Sequence, residues 1–394
     1  MLQRAAHWTI PKPDKVGALI GALLLYALFA LPFATSRANR IVQGEVRGIA
    51  EAMPLAWSYL LIAVMSIAIA TAFFRTNARF RLGVAMASLA VLAVTIGIAA
   101  THLTPAGNSY ARVSPASGFW LLAAGLILMA TDAITRLRPR PAMKVMLLVL
   151  ALGVMAATLI SGHWDALSIL KEYQSRQDIF WIEAGRHVQL AIGSLLAATL
   201  AGIPLGILCY KVARLRAGVL NSLNIIQTIP SIALFGLLIA PLGWIAANVP
   251  GASALGIRGI GMAPAFVALF LYSLLPVVSN TVVGLDGVSN AVREAARGLG
   301  MTAAQRLIKI DFPLALPIIL TGIRIVLVQN IGLATIAALI GGGGFGVFVF
   351  QGIGQTAMDL VLLGTIPTVV LGFSAAILLD AIIEHNSFNG RSRA

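Results

Sequence analysis

From one end to the other, the chain alternates long apolar runs with short polar punctuation. The apolar stretches fall at 16–34, 54–74, 82–102, 117–134, 143–161, 187–210, 231–247, 262–285, 314–338 and 359–383. Each is long enough to cross a bilayer with some tilt. The pattern predicts an all-α polytopic membrane protein of about ten transmembrane helices. Arg4, Lys12 and Lys15 precede the first stretch, as basic residues precede a signal peptide. Its apolar run of roughly 18 residues exceeds the 7–15 of a signal core, so it reads as a retained helix.

The two halves differ in texture. Up to about residue 161 the stretches are plain Ala/Leu/Val helices. From about 187 onward prolines recur in or beside them, at Pro204, Pro230, Pro241, Pro264, Pro276, Pro317 and Pro367. Helix breakers are tolerated at membrane depth where neighbouring helices satisfy the backbone or a cavity is lined. The expected organisation is an N-terminal membrane region of about five added helices over 1–161, an extracytoplasmic connector over 162–186, and a pathway-forming core over 187–394.

Composition sharpens this picture. Of 394 residues, 59% are hydrophobic and 11% charged, which excludes both a water-soluble globule and a disordered chain. The formal charge of +14 reads as loops facing anionic lipid rather than as a nucleic-acid surface. With the N-terminus inside, 19 basic residues fall in inside segments and 8 in outside ones. That bias predicts both termini in the cytoplasm. The connector is the blemish, since Lys171, Arg176 and Arg186 lie in it beside Asp165, Glu172, Asp178 and Glu183; a surface helix would accommodate them. Cys209 is the sole cysteine, so no intrachain disulfide forms.

The most informative segment is the loop 286–313. Ser289 or Asn290 can cap a first short helix, and Gly298 and Gly300 can end it. Thr302 and Gln305 have capping-box spacing and open a second. Pro313 and Pro317 mark entry into the next span. On these grounds alone the loop is equally an ordinary pair of surface helices. Its pattern of Glu294, Ala295, Ala296, Gly300, Ile310 and Pro313, however, resembles the EAA signature of binding-protein-dependent ABC importer permeases, with Phe312 where that family has leucine. The likeness covers roughly 187–383 and implies a type I permease core. It implies that the loop is the coupling segment to a cytoplasmic ATPase, with Glu294, Ala295, Ala296 and Gly300 transmitting nucleotide-driven motion.

Within that stretch, Gln227-Thr228-Ile229-Pro230-Ser231, Gly322-Ile323-Arg324 and the run Gly341, Gly342, Gly343, Gly344, Phe345, Gly346 are similar to the osmoprotectant branch of the family. That branch carries glycine betaine, choline, carnitine or proline. The resemblance implies cytoplasmic ATPase subunits, a second permease (the same or a paralogue) and an extracytoplasmic solute-binding protein as partners. It also implies that ATP and Mg are held by the ATPase and that this chain binds no cofactor. An amino-acid permease of the methionine type and a sodium-coupled secondary transporter stand as alternatives.

Other signals carry less. Gly341, Gly343 and Gly346 satisfy G-x-G-x-x-G formally but follow a membrane helix rather than a strand, so they read as a flexible outer-mouth segment. No Walker A pattern occurs. His7, His102, His163, His187 and His385 are scattered near span ends, without metal-ligand spacing, and no constellation suggests an enzyme. Arg324 is a charge inside a span and needs a partner or a role; Asp380 is the candidate partner, in a structural pairing or a pathway function.

Overall fold

The computed structural model describes residues 14–391 other than 41, 106 and 109, with side chains as far as His385. Arg4, His7, Lys12 and Arg393 lie outside the described residues. The elements in order are α1 (Lys15–Ala30), β1 (Ala34–Arg37), β2 (Glu45–Arg47), α2 (Ile49–Ala52), α3 (Leu55–Phe73), α4 (Ala78–Leu103), β3 (Arg112–Pro115), α5 (Ser117–Leu137), α6 (Pro141–Ile160) and α7 (Ser168–Gln174). There follow α8 (Gln177–Lys211), α9 (Ala213–Thr228), α10 (Ser231–Asn248), α11 (Met262–Asp286), α12 (Asn290–Gly298), α13 (Ala303–Arg306), α14 (Phe312–Ile336), α15 (Gly346–Gly354) and α16 (Met358–Arg391).

Among the described residues, nine helices are long and apolar enough to cross a membrane; α1, at 16 residues, is shorter. The stretch 16–34 therefore does not run as one helix. Pro32 disfavours helical geometry at Leu31, which is extended (φ −114°, ψ 149°) and ends α1. The next residues enter a strand. The core also begins earlier than its apolar run suggests, because α8 continues ten residues upstream of His187, through Asp178 and Glu183.

Two compact units emerge, 1–140 with 150–174, and 141–149 with 175–394. In the first, α1, α3, α4 and α5 bury Leu24, Leu61, Met65, Leu92, Ile96, Leu122 and Leu126 in one core. A three-stranded antiparallel sheet of order β2-β1-β3 caps it. At the other end of α1, Asp14 accepts from the Gly17 N–H as N-cap. Its carboxylate also takes Arg81 at 3.0 Å and Arg136 at 2.5 Å, while Asp132 takes Arg81 at 3.3 Å and Arg136 at 3.0 Å. Arg81 is wholly buried, and two carboxylates on different elements are what make that tolerable.

In the second unit α11 is the central helix, packed on α8 and α14 around Leu190, Leu269, Val277, Val278 and Val326. Its Pro276 sits inside the helix and offers no N–H, which orphans the carbonyl of Tyr272 four residues back. Gln227 on α9 donates to that carbonyl at 2.8 Å. The Tyr272 hydroxyl in turn donates to the carbonyl of Ile229, at the break between α9 and α10 ahead of Pro230. One proline in α11 and one between α9 and α10 are thus tied together by Tyr272 and Gln227.

Candidate functional site

The loop after α11 is built largely as its spacing predicts, although Ser289, at the N-cap of α12, makes no side-chain capping hydrogen bond. α12 ends in a Schellman arrangement. Met301 N–H reaches the Ala296 carbonyl at 3.1 Å, and Gly300 N–H reaches Arg297 at 2.8 Å. Gly300 takes the left-handed conformation this requires (φ +77°). Thr302 and Gln305 form a reciprocal capping box that opens α13. Instead of two free surface helices, however, α13 runs through a π-helical turn (Leu307–Asp311) straight into α14. Pro313 follows directly on the π turn, which loosens the ladder where the proline offers no N–H, while Pro317 lies inside α14 proper.

The segment is fastened by a carboxylate and a guanidinium. Asp311 is 1% exposed and receives Arg293 at 3.3 Å and Arg306 at 3.4 Å. Arg293 also donates to the Leu285 carbonyl and lies over the Tyr210 ring, 5.5 Å from its centroid. This one side chain of α12 therefore touches α8, α11 and the base of α14. Arg216 of α9 closes the same end of the unit on Asp286 at 2.6 Å. With Arg293 turned inward, Glu294, Ala295 and Gly300 are exposed, Ala296 is buried, Ile310 is half-buried and Pro313 is exposed. The exposed surface of the segment carries Glu294, Arg297 and Lys309 beside the apolar Val292, Leu299 and Ile308.

At the far end of α14 the glycine run folds back. Gly341, Gly343 and Gly344 all have φ between +76° and +86°. The turn so formed, exposed only at Gly341 and buried from Gly342 to Gly346, is held by α8: Gly344 N–H donates to the Glu183 carboxylate at 2.6 Å, and Phe345 N–H donates to Nδ1 of His187 at 3.3 Å. Arg186 balances Glu183 at 2.7 Å. His187 is completely buried, rather than interfacial as its place in the sequence suggests. Its ring lies 4.9 Å from that of Phe345. A β-carbon on Gly346 would lie 1.8 Å from the Thr335 carbonyl oxygen, so only glycine lets α15 seat there.

Between these ends lie two polar features. Asn330 of α14 donates to Ser194 of α8 and to Ser273 of α11, both at 2.9 Å, and all three residues are fully buried. Near the middle of α14, Arg324 pairs with Asp380 of α16 at 2.5 Å, the two side chains remaining 39% and 37% exposed.

Residues 202–385 match the family described as binding-protein-dependent transport system inner membrane component. The chain is 43% identical over 197 residues to the osmoprotectant import permease protein OsmW of Salmonella typhimurium, covering 50% of this chain and 83% of that one. The chain belongs to the binding-protein-dependent transport permeases. Such a permease is a transport subunit of an ABC importer and an integral inner-membrane protein. Other permeases of the family that it resembles are the glycine betaine/carnitine/choline transport system permease protein OpuCB of Bacillus subtilis and the carnitine transport permease protein OpuCD of Listeria monocytogenes. The first is 32% identical (51% of this chain, 83% of the relative) and the second 35% (54% and 88%). A solved MetNI methionine ABC transporter chain overlays with a TM-score of 0.47 at 22% identity, covering 54% of this permease and 98% of that chain. Residues 14–170, outside the shared permease region, match the N-terminal domain of the ABC transporter permease YehY.

The sequence reading of this permease named Glu294, Ala295, Ala296, Gly300, Ile310 and Pro313, and the fold brings these together at one end of α14. It places Gly341–Gly346 at the other end and pairs Arg324 with Asp380 between them. Sequence reasoning passed over Arg293, Asp311, Glu183, His187 and the Ser194–Ser273–Asn330 junction. Asn330, a lone amide in an otherwise apolar span, and the i, i+4 spacing of Glu183 and His187 were the available signals.

Proposed function

We propose that this permease carries small quaternary ammonium osmoprotectants, of the glycine betaine, carnitine and choline kind, across the inner membrane at the expense of ATP hydrolysed by separate ATPase subunits. What supports this reading is the 43% identity over 197 residues to an osmoprotectant permease, together with the family match over 202–385, which contains both the loop 286–313 and the glycine run. The ATPases grip the exposed Glu294–Ala295 face and Gly300. Arg293 and Asp311 hold that face rigidly to α8, α11 and α14, so that force applied to it moves whole helices rather than bending a loop. A second permease subunit completes the pathway, and a solute-binding protein delivers cargo at the end where Gly341–Gly346 turn back. Both termini face the cytoplasm, on the strength of the 19-to-8 distribution of basic residues. An added membrane region occupies about 1–161 and a connector the residues up to Arg176, and the transporting core begins with α8 at Gln177.

The test is uptake by vesicles holding the permease with its ATPase subunits and a solute-binding protein. ATP-dependent accumulation of labelled glycine betaine, carnitine or choline is the expected result. Accumulation of methionine and of none of these would overturn the substrate class, and accumulation without ATP, driven by a sodium gradient, would overturn the energy source.

A further inference from the structure

Arg324 lies 12 residues from either end of α14, about 18 Å from each at 1.5 Å per residue. Both residues of the pair lie inside the apolar stretches of their helices, Arg324 within 314–338 and Asp380 within 359–383. Its partner helix α16 is the least embedded of the unit's long helices, with only 6% of its apolar window buried. More than a third of each charged side chain is open to whatever lies beside the unit. Hydrocarbon is a poor neighbour for that opening, because charges at bilayer depth face a bundle interior or a water-filled cavity. One turn beyond Asp380 the same helix carries Glu384, which pairs with Lys144 of α6, so both acids of that turn are compensated. The result is a net-neutral site with an anion and a cation side by side, both partly bare.

We propose that this pair lines the translocation pathway and is a transient binding station for zwitterionic solutes, Arg324 taking the carboxylate and Asp380 the quaternary ammonium. The inference rests on the reading of the cargo given above. A solute of that kind carries the same two charges at comparable separation. It can exchange partners with the pair without leaving any charge uncompensated, where a single fixed charge would trap one end or repel the other. Choline, which lacks the carboxylate, engages only Asp380.

Two arms in the assembled, reconstituted complex test this. In the first, Arg324→Gln is expected to lower glycine betaine uptake about tenfold more than choline uptake, one charge-assisted contact being at stake. Asp380→Asn lowers both. The exchanged pair Arg324→Asp with Asp380→Arg keeps the ion pair and restores membrane abundance. Equal losses for the two solutes in Arg324→Gln would overturn the station. In the second arm, Val328→Cys, one turn along the Arg324 face and 38% exposed, is placed in a Cys209→Ala background. A membrane-impermeant cationic thiol reagent should modify it, and solute should slow the modification. An unreactive thiol would put this face against lipid or a second subunit and overturn the proposal. If the unmodified complex moves neither quaternary amine, the cargo reading falls, and the thiol arm still decides whether the pair faces water.

Discussion

Replacing Asp311 by asparagine isolates the clasp beneath α12. The change keeps volume but removes the charge that two guanidinium groups share. One of the two arginines would keep a neutral acceptor, and the other would meet an amide N–H. Losing one partner of a buried ion pair costs about 3–5 kcal/mol. The contacts here are long, at 3.3 and 3.4 Å, against about 2.7–2.9 Å for a strong charge-assisted bond. Arg293 and Arg306 keep 12% and 19% of their side chains in reach of water, which offsets part of the loss. That sets the cost of undocking α12 at about 2–3 kcal/mol, roughly a 30- to 150-fold rise in the undocked population. Hydrogen exchange on the full chain in detergent reads this directly. Amides from Arg293 to Met301 should exchange faster by that factor, while those of α14 beyond Ala315 stay unchanged. Arg306→Ala should do less, because Arg293 retains Leu285 and Tyr210. Unaltered exchange in Asp311→Asn would refute the clasp.

Gly300→Val should abolish solute uptake and weaken ATPase co-purification at normal membrane abundance. No atom lies within 4 Å of a β-carbon there, so the cost is purely that of φ +77°, and Gly300→Asn, which tolerates that conformation, should retain most activity; equal losses in the two variants would argue against it. Acid should selectively weaken the N-terminal unit. Burial alone would raise the Asp14 carboxyl, but hydrogen bonds from Arg136, the Gly17 N–H and Arg81 outweigh it and hold the group below its ordinary 3.8. The stabilisation is therefore present above that ordinary value and is lost as pH falls through the lower, folded-state one. Thermal unfolding followed from pH 7 to 3 should show an acid limb that Asp14→Asn shrinks; an identical limb in the variant would remove Asp14 from the account.

Much of the fold was legible because the bilayer imposes a coarse code: about 20 apolar residues per crossing, with polar breaks between. Local turn chemistry was equally plain at Gly300, Thr302 and Gln305, where neighbours in sequence make the bonds. The shortfall at α1 was readable too, from Pro32. What escaped were partnerships made across helices. Asp311 finds Arg293 eighteen residues away, Glu183 finds Gly344 across 161, and Asn330 joins helices that no local pattern connects. The strands of 3–4 residues are too short to show a period of two. Arg324 is intermediate. Its need for a partner followed from its setting, and Asp380 was named, but only the fold shows that the two heads stay partly bare.

The passage from α13 through the π turn into α14 makes one continuous rod of 38 residues, Ala303–Ile340, about 57 Å long. Its buried polar junction, Asn330, is far off-centre. About 40 Å of rod lies on the side of the coupling loop and about 15 Å on the side of the glycine turn. Should the rod swing about that fulcrum, a stroke of about 5 Å at the Ala303 end becomes about 2 Å where Gly344 meets Glu183, with force multiplied nearly threefold. Such a gearing suits a turn held by individual hydrogen bonds, which yield to small, strong displacements rather than to large, weak ones.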